Sequence, residues 1–103
     1  METRTRIVLF VAVFLVLGQL LQAQSAGVVR GRVVDRSGAS AVRVKVSVGM
    51  KWGLTDATGR FVLVDVPFGR HQITLERGGK AVNVRVVDVK GRLTEINDLK
   101  WPF

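Results

Sequence analysis

The sequence predicts a small all-β sandwich of seven strands. Three observations carry that expectation. From Val28 onward, apolar residues recur at every second position, as half-buried strands require. Turn-forming residues interrupt the alternation at regular, short intervals. No stretch after Gly27 keeps a helical repeat.

The elements follow in order. Val29, Gly31 and Val33 alternate with Arg30 and Arg32, which predicts a strand over 28–35. Val44, Val46 and Val48 alternate with Arg43, Lys45 and Ser47 and predict a second over 42–49. Shorter runs at 51–55 and 60–65 follow, on either side of Asp56-Ala57-Thr58-Gly59. Ile73 and Leu75 mark the face of a strand over 70–77, after Pro67-Phe68-Gly69. Val82, Val84 and Val86 mark one face of a long strand over 80–89. A last strand over 92–100 reads as its hairpin partner, closing across Lys90-Gly91.

The first 25 residues read differently. Arg4 and Arg6 precede an apolar run from Ile7 to Gly18, and small residues follow at Ala23, Ser25 and Ala26. That order predicts a secretory signal peptide over 1–25, cleaved near 23–25, ahead of one domain over 26–103. The run falls short of the ~20 apolar residues of a spanning helix, so membrane contact is expected only if the segment is retained as an anchor. The expected location is the periplasm or the cell exterior. There is no cysteine, which removes disulfides, thiolate metal sites and thiol nucleophiles.

The 103-residue chain carries a net charge of +8. Without Glu2, Arg4 and Arg6, 14 basic and 7 acidic residues remain, a net +7. That excess favours weak attraction to polyanions. Nucleic acid is not an expected partner of an exported chain. A protein or a polysaccharide is, and the sequence names neither.

The most specific local signal is Thr55-Asp56-Ala57-Thr58-Gly59-Arg60-Phe61. Asp56 is suited to bonding backbone N–H groups two residues on, Gly59 to positive φ, and Phe61 to the first inward position of the next strand. Asp35 and Gly38 repeat the logic after the first strand, and Pro67 and Gly69 form another rigid turn. In this order the turns resemble the carboxypeptidase-regulatory-like domain family. The resemblance covers nearly all of the chain after residue 25. It implies an Ig-like, prealbumin-like sandwich, related in shape to collagen-adhesin B repeats and starch-binding modules. Asp35, Gly38, Thr55, Asp56, Gly59, Phe61, Pro67 and Gly69 are its structural motif. Two positions depart from it: Ser40 stands where the family often has proline, and Arg43 where a glycine or small residue is common.

No residue pattern points to catalysis. His71 is the only histidine and is expected as an exposed strand-end residue. No serine lies in a nucleophile elbow, and the carboxylates are scattered singly among turns, too sparsely for calcium. No cofactor is expected. The candidate binding residues are Trp52 and Trp101, whose indoles suit either edge packing or a sugar platform, and Arg30, Arg32, Arg43 and Lys45. Those four cations form a patch only if the first two strands share a sheet. The expected function is an exported, non-catalytic module for protein interaction or structural support. The alternative is a carbohydrate-binding module. A transthyretin-like hydrolase does not fit, since the chain has one histidine and no tyrosine.

Overall fold

A computed structural model describes residues 25–103. The expected signal peptide falls on residues outside this range, apart from Ser25. Seven strands are present: β1 (Ala26–Val34), β2 (Lys45–Val48), β3 (Lys51–Leu54), β4 (Arg60–Pro67), β5 (Gly69–Arg77), β6 (Lys80–Val89) and β7 (Leu93–Lys100). They form a two-layer sandwich. One sheet has the order β4-β1-β7 and the other β3-β2-β5-β6. The fold class is therefore all-β, as the alternation requires.

The core lies between the layers. Val29 and Val33 of β1, Val46 and Val48 of β2, Phe61 and Leu63 of β4, and Ile73 and Leu75 of β5 are all buried. Each is on the inward phase of its strand, and each aliphatic burial contributes ~1.5–3 kcal/mol. Ala41 and Val44 seal the connection into β2, and Ile96 and Leu99 the last strand.

Two expectations need correction. The chain 80–100 is not a hairpin. β6 pairs with β5, while β7 crosses to the other sheet and lies parallel to β1. Alternation fixes which face of a strand is buried and is silent on its partner. The partner is set at the glycines of β1. A Cβ on Gly31 would lie 1.8 Å from the Ile96 carbonyl oxygen, and one on Gly27 2.2 Å from that of Gly91. Only bare backbone admits β7 there. The crossover is clamped at both ends, by Val28 N–H to the Arg92 carbonyl (2.8 Å) and Trp101 N–H to the Val34 carbonyl (2.7 Å).

The second correction is in β6. Its register against β5 shifts between Ile73 and Thr74, where Thr74 faces Asn83 and Ile73 faces Arg85. Val84 is the extra residue of a bulge, and a bulge reverses the phase of everything beyond it. Val82 and Val84 stay half-buried, but Val86 turns outward opposite Gln72.

Candidate functional site

Two turns hold one end of the sandwich, and they are built alike. The Asp35 carboxylate accepts hydrogen bonds from Ser37 N–H (2.8 Å), Ser37 Oγ (2.6 Å) and Ala39 N–H (3.1 Å). The Asp56 carboxylate accepts from Thr58 N–H (2.9 Å), Thr58 Oγ1 (2.7 Å) and Arg60 N–H (3.0 Å). The Ser37 hydroxyl holds the Asp35 carboxyl below its ordinary range, and the Thr58 hydroxyl does the same for Asp56. Gly38 and Gly59 close the turns at φ of 88° and 76°. Arg32 links the pair, its Nε donating to the Thr58 carbonyl (3.1 Å) and its Nη2 to Ser40 Oγ (2.9 Å). The matching hydroxyls of Ser37 and Thr58 are legible in the sequence as a repeated Asp-x-Ser/Thr-Gly.

Thr55 is buried and ties the segment before β2. Its Oγ1 donates to the Ala41 carbonyl (2.6 Å) and accepts from Val44 N–H (2.9 Å). Phe61 is in the core, Pro67 is exposed, and Gly69 starts β5 at φ 124°. His71 departs from expectation, because its ring is half-buried beside Gly49. Its Nε2–H donates to the Pro67 carbonyl at 2.6 Å. That contact makes it a tie across the β4–β5 corner. Among the described residues, no three His, Asp or Glu side chains gather as a metal site would need.

The candidate binding residues separate. Trp101 is 2% exposed and plugs the open end of the core. Phe103 packs edge-on to it (ring centroids 5.3 Å apart), and the Arg77 guanidinium lies 5.5 Å from the indole. Arg30 and Arg32 are on β1 and Lys45 is on β2, in opposite sheets. Arg43 precedes β2 in a loop, so the four cations form no common patch. Arg30 is engaged by Glu95.

Trp52 is 59% exposed, on the outer face of the four-stranded sheet. The register places it directly opposite Ser47, Ser47 opposite Thr74, and Thr74 opposite Asn83. One indole, two hydroxyls and one amide therefore form a straight row over all four strands, ~14 Å long at the usual strand spacing. Thr74 Oγ1 donates to Asn83 Oδ1 (2.8 Å), which orients the amide. Lys45 stands 4.9 Å from the centre of the indole, and Leu54, 56% exposed, lies on the same face. Ser47, Thr74 and Asn83 are ordinary strand residues in the sequence. Only pairing register unites them, and register has no local signature here.

No protein-family model matches the chain, and no curated protein matches it. Solved structures do. A chain from an N-terminal interface mutant of the type II cohesin–X-dockerin complex of Acetivibrio cellulolyticus is similar at a TM-score of 0.59 and 17% identity. The match covers 69% of this chain and 51% of that one. The C-terminal interface mutant of that complex gives 0.60 with the same identity and coverage. This chain thus spans about half the length of those two chains. A Pseudomonas aeruginosa protein, provisionally designated carbohydrate-binding, matches at a TM-score of 0.54 and 17% identity, over 76% of this chain and 90% of its own. At such identities the likeness is one of fold, the two-sheet β-sandwich.

Proposed function

We propose that this chain is an exported, non-catalytic interaction module of the carboxypeptidase-regulatory-like kind. Its partner docks on the outer face of the four-stranded sheet. The observation that carries the reading is Trp52, which stands outside the core on that face with Leu54 exposed beside it. An indole exposed amid half-buried hydroxyls is costly to keep in water and is typical of a contact surface. The family assignment is supported by the Thr-Asp-x-x-Gly-x-Phe element and its turn. Export is supported by the basic head and short apolar run of the first 25 residues.

A polysaccharide partner is the second reading, and one observation favours it. The row Trp52–Ser47–Thr74–Asn83 offers a stacking face followed by hydroxyl and amide groups in a line. Capture assays on insoluble cellulose, chitin, starch and peptidoglycan, run beside recovery of proteins from the envelope fraction, separate the two readings. Trp52→Ala should abolish whichever capture occurs. Capture by the Trp52→Ala protein at the parent level would remove this face as the binding surface.

A further inference from the structure

The outer face of the other sheet holds a second arrangement, which the sequence grouping of cations hides. Arg32 of β1 is directly opposite Arg60 of β4, and Arg30 lies two residues along the same face. Like charges placed opposite each other across a strand pair destabilise it. Among the described residues one acid forms an ion pair with them, while Asp56 acts on Arg60 only through space. Glu95, opposite Arg30 on β7, engages the Arg30 guanidinium through Nε and Nη2. Arg32 has two of its three nitrogens fixed by the turns, and Arg60 forms no ion pair among the described residues. These side chains, with Val62 and Asn97, line a half-open cleft of about 480 Å³. Three guanidinium groups against one carboxylate leave it a net charge of +2.

We propose that this cleft binds the carboxylate or sulfate group of an acidic polysaccharide. Guanidinium N–H groups match the oxygens of a carboxylate or a sulfate group, and Arg30 and Arg32 are already held through Nε and Nη2 with Nη1 left to donate, so little side-chain entropy remains to be lost. The volume suits one sugar residue. The Asn97 amide and Glu95 carboxylate supply a donor and acceptors for ring hydroxyls. An acidic peptide is a poorer fit. An extended peptide takes its affinity from main-chain bonds to a free sheet edge. This cleft is centred on β1, which is paired on both sides and has no free backbone to offer. The site is on the sheet opposite the Trp52 row, so the two stand or fall separately.

The test is titration of the full chain, as the cell processes it, with polygalacturonate, heparin, neutral dextran and poly-glutamate at near-physiological salt. Arg60→Gln should weaken polygalacturonate or heparin binding about tenfold, the worth of one charged hydrogen-bonded contact. Arg60→Lys, which keeps the charge and loses the fork, should recover little of it. Lys51→Gln, which removes the same charge from the other sheet, should change affinity less than twofold. A difference between polygalacturonate and heparin identifies carboxylate or sulfate as the group held. Equal weakening by Arg60→Gln and Lys51→Gln would reduce the effect to net charge and overturn the proposal. So would poly-glutamate binding as tightly as either polysaccharide. Matching urea melts of the variants ensure that a loss is not unfolding.

Discussion

Two residues near the turns take left-handed backbone for opposite reasons. Gly59 has φ 76°, and a Cβ there would lie 2.5 Å from the Val33 carbonyl oxygen. Gly59→Val combines strain with a backbone clash and should cost at least ~1–3 kcal/mol. Arg43 has φ 57° with a full side chain, and its N–H is tied to the Thr55 carbonyl (3.1 Å). It pays the left-handed penalty of ~1–2 kcal/mol that glycine avoids, against the ~0.5–1 kcal/mol that glycine loses in backbone entropy. Arg43→Gly should therefore leave stability unchanged or raise it by up to about 1.5 kcal/mol. Urea melts of the two variants should move in opposite directions, or only Gly59→Val should move. A destabilised Arg43→Gly protein would mean that the arginine side chain holds the loop. The buried Thr55 hydroxyl, bonded at both Ala41 and Val44, gives that loop its shape whichever residue stands at 43.

At the scale of elements, the parallel β1–β7 pair closes the three-stranded sheet and depends on Gly31. Gly31→Ala places a methyl 1.8 Å from the Ile96 carbonyl oxygen, which no rotamer change relieves. The expected result is displacement of β7, with loss of hydrogen-exchange protection concentrated in residues 93–100 and a lower melting temperature. Protection lost evenly over all seven strands would show that β7 docks only as part of global folding. The same element marks what the sequence could reveal. Strand faces are legible because burial on one side writes alternation into Val29, Val46 and Ile73. Partners are not. Proximity in the chain points β7 to β6, whereas a backbone contact at Gly31 sends it to β1. The outward turn of Val86 was hidden for a related reason, since a bulge adds a residue without a local signal. The Trp52 row and the Arg32–Arg60 pair both arise from register between distant strands, so the sequence singles out only Trp52 and Arg32 among their members.

The whole molecule has no disulfide and a small core, so its stability should report the few polar ties that close its ends. Asp35 and Asp56 are the ties with a pH signature. Each carboxylate accepts three hydrogen bonds, and the hydroxyls of Ser37 and Thr58 lead in holding their pKa values below the ordinary 3.8. Asp98, held down chiefly by its hydrogen bond from Arg85, acts in the same direction. A depressed folded value means that the folded state binds the proton more weakly than the unfolded chain. The stabilisation is then complete above the ordinary value and is lost as pH falls through the folded values. The urea midpoint should be flat from neutral pH to about 5 and should drop steeply below about 4. Asn at both turn positions keeps an acceptor oxygen in place but has no proton to take up. The double variant Asp35→Asn, Asp56→Asn should start from a lower midpoint at neutral pH and lose less of it on acidification, with Asp98 responsible for the slope that remains. Parallel acid limbs for parent and double variant would show that the two turns do not set the acid sensitivity of the fold.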